Sequence, residues 1–116
     1  MGAQRFIYVT ARDEAEAARI GETLVRERLA ACANVLAPVR SFYWWQGKVQ
    51  DDREAVLVMK SRAALVDALV ARVKALHSYS VPCVVSLEIE RGNTDFLRWI
   101  DEETQSGEAS GPPSPS

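Results

Sequence analysis

The chain is poor in the residues that most often carry chemistry. Its 116 residues include one histidine, His77, and two cysteines, Cys32 and Cys83. The cysteines stand far apart and form no CxxC unit, so free thiols are expected rather than a disulfide framework. With 14 Lys and Arg against 16 Asp and Glu, the formal charge of −2 lacks the basic excess of a nucleic-acid binder. No apolar run is long enough to span a membrane. No signal-peptide core precedes the first strand-like segment, so neither a membrane nor a nucleic acid is an expected partner, and the expected compartment is the cytoplasm. There is no glycine-rich phosphate cradle, and no Ser-His-Asp, Cys-His or zinc-protease spacing. The expectation is a protein that is not an enzyme.

Aromatic residues, scarce elsewhere, gather in Ser41-Phe42-Tyr43-Trp44-Trp45-Gln46-Gly47-Lys48. The segment alternates like a strand and ends at Gln-Gly, a pair suited to a tight hairpin. Neighbouring strand residues point to opposite faces, so Trp44 and Trp45 cannot enter one core. A small sheet lays one face on its helices and leaves the other in water. Two indoles on opposite faces therefore call for a cover over the second face. For a chain of one-domain size that cover is another copy, with Tyr43, Trp44 and Trp45 at the interface.

Arg5 to Thr10 is β-branched and aromatic and reads as a first strand. Asp13 with Glu16 reads as a capping box for a helix ending near Ala30, whose buried stripe holds Ala17, Ile20, Gly21, Leu24 and Arg28. Cys32 to Trp45 reads as a long second strand, with a bulge or edge position at Ala37-Pro38. Lys48 to Lys60 returns as the third, its polar outer end forming the tip of a projecting hairpin. Ser61 is the expected cap of a second helix with stripe Leu65, Val66, Leu69, Val73 and Leu76. A loop through Tyr79 and Pro82 leads to a fourth strand, Cys83 to Glu90. There Cys83, Val85, Leu87 and Ile89 are expected to share one face, with Cys83 opening the inward side. Thr94 is the expected cap of a short helix carrying Phe96, Leu97, Trp99 and Ile100. The domain is expected over residues 1–103, and the Ser/Pro/Gly-rich residues 104–116 are expected to be disordered. The order βαββαβ is that of an α+β, ferredoxin-like sandwich with a long hairpin between its second and third strands and a short C-terminal helix.

An RNA-binding version of that topology would carry basic and aromatic residues on its central strands, where Glu54 to Met59 stand instead. An acylphosphatase-like version would need an anion cradle after the first strand, and Arg12 is followed there by Asp13 and Glu14.

Several motifs in order resemble the CutA family: Leu29-Ala30-Ala31-Cys32-Ala33-Asn34-Val35, then Ser41 to Lys48, Lys60, His77-x-Tyr79-x-Val81-Pro82, and Gly92-Asn93 with Leu97-x-Trp99-Ile100. The resemblance runs from about Arg5 to Glu103. It implies a homotrimer whose hairpins extend each other's sheets, a role in divalent metal (copper) tolerance, and binding of copper or another divalent cation. Of the Cys and two His donors that some members of the resembled family carry, only His77 has a counterpart, Val9 and Leu76 standing at the other positions. Cys83 replaces a common glutamate, so His77 and Cys83 form the candidate metal pair, to be completed by threefold symmetry. For each there is a plainer role, His77 satisfying helix-end carbonyls and Cys83 packing as a small apolar residue. Lys60 and Tyr79 match positions bordering a cleft between subunits, with Glu54 and Glu88 as partners or cation ligands. The alternative function is a PII-like sensor binding a small anionic effector in that cleft, or a scaffold for an unknown protein partner.

Overall fold

The computed structural model describes residues 3–105. Strand β1 (Gln4–Ala11) leads to helix α1 (Glu14–Arg26), then to the long strands β2 (Cys32–Trp45) and β3 (Lys48–Arg62). A 3₁₀ turn (Ala63–Leu65) precedes helix α2 (Val66–Leu76), strand β4 (Val84–Glu88) and helix α3 (Thr94–Glu103). The antiparallel sheet has the order β2-β3-β1-β4, the α+β arrangement expected from the element sequence.

A 14-residue strand rises about 46 Å, and the molecule measures 47 × 29 × 23 Å. The β2–β3 arm therefore sets the long dimension. Its turn works because Gln46 and Gly47 both adopt positive φ, +53° and +77°, the backbone that matches strand twist in a two-residue hairpin. Pro38 follows a cis peptide bond on β2, an edge strand, and the ladder slips there between Leu36 and Val39.

The core lies between one sheet face and the helices. Ile7, Val9 and Ala11 of β1 and Ala55, Leu57 and Met59 of β3 are fully buried against Ala17, Ile20 and Leu24 of α1 and Leu69 and Val73 of α2. The other face stays open and is largely apolar. Phe6 sits between Lys60 and Leu87, and Tyr8 between Val58 and Val85; Leu36, Val85 and Leu87 are each about half exposed.

Several expectations are corrected, the cap of α3 among them: Asn93, not Thr94, is the N-cap, its side-chain oxygen accepting from the Asp95 amide at 2.9 Å. Helix α1 stops at Arg26 rather than near Ala30, because Arg28 turns left-handed (φ +62°) and the Leu29 amide folds back onto the Leu24 carbonyl. Arg28 thus leaves the helical stripe. Ser61 caps no helix: it is a fully buried β3 residue whose hydroxyl donates to the Leu29 carbonyl at 2.6 Å. Strand β4 is shorter and faces the other way. Val84 stands opposite buried Val9 and packs on the core, whereas Val85 stands opposite Tyr8 on the open face and Cys83 is exposed. Alternation separates the two sets; only the pairing with β1 decides which set meets the helices.

Thr104 and Gln105 are tied to the domain. The Thr104 hydroxyl accepts from Arg62 and donates to the Ile100 carbonyl, and the Gln105 amide donates to the Arg28 carbonyl. The remainder of the expected tail, 106–116, lies outside the described residues.

Candidate functional site

A cavity of about 580 Å³ opens where the end of β1, the base of the hairpin arm and the loop before β4 meet; its walls include Thr10, Tyr43, Trp45, Glu54, Tyr79 and Cys83. Strand pairing explains the convergence. Val39 stands opposite Glu54 and Ser41 opposite Asp52, so alternation puts Ser41, Tyr43 and Trp45 on the face that carries Glu54. Trp44 points elsewhere and is 74% exposed.

The loop is held by a fixed set of bonds. Glu16 is buried beneath it; one carboxylate oxygen accepts from the Arg12 amide at 2.8 Å and the other from the Ser78 amide at 2.9 Å. Burial opposes the charged form of Glu16, but the hydrogen bonds from Arg12 and Ser78 outweigh it and hold the carboxyl below its usual range. His77 caps the end of α2 with its side chain wholly buried. Nε2 donates to the Thr10 carbonyl at 2.7 Å and Nδ1 accepts from the Tyr79 amide at 3.0 Å, a pattern that one neutral tautomer satisfies. Both nitrogens are committed to backbone.

The His77 ring lies 4.7 Å from that of Tyr79, centroid to centroid. The Tyr79 hydroxyl donates to Glu54 at 2.5 Å. Burial, that bond and the Glu54 charge together push the Tyr79 phenol well above its ordinary range. Tyr43 donates to Asp52, also at 2.5 Å. This bond, with desolvation and the Asp52 and Glu54 charges behind it, pushes Tyr43 up to about 12. The charged side chain among the cavity's lining residues is the Glu54 carboxylate.

Of the residues singled out in the sequence, Tyr43, Trp45, Glu54, Tyr79 and Cys83 meet here. His77 stands behind Tyr79. Lys60 lies six residues from Glu54 along β3, about 20 Å away, with its ammonium on the Asn34 side chain at 3.0 Å. Glu88 pairs opposite Arg5, at the other end of β1. Two participants escaped notice: Asp52, read as part of a polar tip, and Glu16 in its second role. The capping-box spacing does signal Glu16, but nothing local reveals that its other oxygen reaches a loop 62 residues on.

Among the described residues no three His, Cys, Asp or Glu side chains converge as a metal-binding group. The donors one chain offers in the cavity are Cys83 and Glu54, and ligation by His77 would require breaking one of its two backbone bonds. One chain alone does not fit a tight metal site. No helix among the described residues is long and apolar enough to cross a membrane.

The family model for the CutA1 divalent ion tolerance protein matches residues 5–103. The divalent-cation tolerance protein CutA of Archaeoglobus fulgidus is 43% identical over 100 residues, covering 86% of this chain and 97% of that one. The chloroplastic protein CutA 1 of Oryza sativa is 42% identical over 99 residues, 85% of this chain but only 56% of the longer rice protein. Among solved structures, the divalent cation tolerance protein from Thermus thermophilus superposes with a TM-score of 0.86 at 41% identity, covering 88% and 99% of the two chains. A structure described as the periplasmic divalent cation tolerance protein CutA of A. fulgidus gives 0.85 at 42%, with the same coverage. With a match along the whole described fold and relatives well above 30% identity, the chain belongs to the CutA1 divalent ion tolerance protein family.

Proposed function

We propose that this chain serves in divalent metal tolerance, with copper as a bound ion, and that it acts by binding rather than by catalysis. The observation that carries this reading is the match over residues 5–103 to proteins named for divalent-cation tolerance. A binding role agrees with the state of His77, whose two nitrogens are both engaged by backbone groups, leaving neither free to exchange a proton with a substrate.

The working unit we propose is a homotrimer. Its support is the apolar open face of the sheet and the exposed Tyr43, Trp44 and Trp45 on the projecting arm. Because one chain gathers too few donors, the metal site in this reading is completed between copies, with Cys83 and His77 contributing, His77 after releasing one backbone bond. Free Cys32 and Cys83 fit a reducing compartment, and we place the chain in the cytoplasm.

The test is a competition titration of the purified protein with Cu(I), Cu(II) and Zn(II), beside a His77→Ala/Cys83→Ser variant. Saturable binding lost in the variant supports the site. Equal binding by both proteins removes it. Growth of cells with and without the gene in graded copper tests the tolerance role itself.

A further inference from the structure

We propose that Glu16 and His77 are positioning residues for association: from beneath the loop 77–83 they fix the shape in which it meets a neighbouring copy, with Val81 as its contact residue. The inference rests on the homotrimer reading and adds to the contact a part that the projecting arm does not supply.

The first support is the way the loop is held. Among the described residues the apolar core reaches Leu76 on one side and Val84 on the other, and takes no residue from 77 to 83. Ser78, Ser80 and Cys83 are exposed, and Val81 is 72% exposed. The hold comes instead from Glu16 and His77, whose side chains are wholly buried within one chain. Glu16 is fixed to the start of α1 by the Arg12 amide and accepts from the Ser78 amide with its other oxygen. His77 is fixed to the Thr10 carbonyl at the end of β1 and accepts from the Tyr79 amide. Arg19 of α1 adds a bond to the Leu76 carbonyl. Apolar side chains would fill this space without the desolvation cost of a carboxylate, but they could not bond two loop amides that are costly to leave unmade.

The second support is where the loop stands. Tyr79, Ser80, Val81 and Cys83 line the same hollow as Tyr43 and Trp45 at the base of the arm. A copy laid over those two aromatic residues therefore also meets Val81. A valine on a loop without anchors would lose its freedom only on association, and that ordering would weaken the contact. One fixed beforehand is already in its bound shape. The hydrogen bonds that fix it lie inside the subunit, so they are in place before any copy arrives.

The test is a double-mutant cycle on association. Dissociation on dilution is followed by sedimentation for wild type, Val81→Ser, Glu16→Ala and the double variant, with far-ultraviolet dichroism checking that the dilute chains stay folded. Val81→Ser alters an exposed side chain and should weaken wild-type association about ten-fold, the worth of burying a valine. In the Glu16→Ala background the loop is loose, and the same change should weaken association by less than about three-fold. His77→Phe fills the space without either bond and should shrink the Val81 effect in the same way. Gly21→Ala, which strains α1 away from the loop, controls for lost stability, and there Val81→Ser should keep its full effect. Glu16→Gln, with one acceptor oxygen for two amides, replaces the alanine variant if that chain does not fold, and should also shrink the Val81 effect. A wild-type chain that is monomeric at every concentration removes the homotrimer reading, and this inference with it. In a wild type that associates, three results overturn the inference alone: no effect of Val81→Ser, additivity of Val81 and Glu16, or equal shrinkage in the Gly21→Ala background.

Discussion

Replacing Gly21 by alanine sets two effects of known size against each other. Gly21 is a buried residue in the middle of α1, where glycine costs about 1 kcal/mol relative to alanine in helix formation. Propensity alone therefore predicts stabilisation. Packing predicts the reverse. A Cβ at this position would lie 2.8 Å from Leu57 Cδ1 and 3.1 Å from Ala33 Cβ, well inside the 3.5–4.0 Å at which carbon atoms attract. Leu57 is fully buried in the core, and the Ala33 methyl moves only with its backbone. Overpacking of this kind costs about 1–3 kcal/mol, so Gly21→Ala should lose about 1 kcal/mol net. Leu57→Ala alone should cost about 2–5 kcal/mol through its cavity. In the double variant the new methyl enters that cavity, and the pair should be less destabilised than the sum by about 1–3 kcal/mol. Urea denaturation of all four proteins measures this at one protein concentration, because the apparent stability of an associating chain varies with mass action. A Gly21→Ala protein more stable than its parent, or additivity within about 0.5 kcal/mol, would refute the reasoning.

Three further outcomes are expected. The Glu16 carboxyl lies below its ordinary value of 4.5 in the folded state, so its contribution is present above about pH 4.5 and drains away as pH falls through the folded value. Glu16→Gln should flatten stability against pH in that window. At neutral pH it should cost about 1–3 kcal/mol, because an amide NH₂ must face either the Arg12 or the Ser78 N–H; acid-unfolding curves followed by circular dichroism decide both points. Ser61→Ala should lose about 1 kcal/mol or more, by removing the buried bond to the Leu29 carbonyl, as read by thermal melting. Trp44→Asp/Trp45→Asp should lower the mass found by sedimentation equilibrium while leaving far-ultraviolet dichroism intact, and an unchanged mass counts against these indoles as interface residues.

The fold was legible where local chemistry and tertiary structure agree. Strand β2 has the bounds its composition suggests, Cys32–Trp45, and Asp13 accepts from the Glu16 amide as an N-cap should. Misreadings fell where a local signal is ambiguous. Ser61 has a good capping side chain, yet two more residues of β3 pairing, Ser61 and Arg62, outweigh a cap of about 1 kcal/mol. Arg28 takes a left-handed conformation that a glycine or asparagine would have announced. The facing of β4 is invisible to alternation, since both of its sets contain valine. As for the site, Glu54 and Tyr79 are 25 residues apart and meet only because a loop folds onto the sheet. The family motifs singled out Tyr79 and Lys60 together, but the distance between Glu54 and Lys60 along one strand shows that a single chain does not combine them.

The open face of the sheet has two ends with different physical demands. Val85 and Leu87 are apolar and about half exposed, so water is a poor neighbour and a second apolar surface a good one. At the other end Glu54 is almost buried, and among the described residues of one chain it pairs with the Tyr79 hydroxyl and with no cation. A second copy that covered both ends with carbon would strand that carboxylate, at the cost of an unpaired buried charge. Association over the apolar stretch and a cation at the Glu54 end satisfy both demands. If they are met in this way, Glu54→Gln should make assembly tighter, because the neutral amide removes the charge that opposes full closure. Comparing the dissociation of wild-type and Glu54→Gln protein on dilution tests this: tighter assembly of the variant means that the Glu54 charge opposes closure, whereas weaker assembly means that Glu54 has its cation on the neighbouring copy.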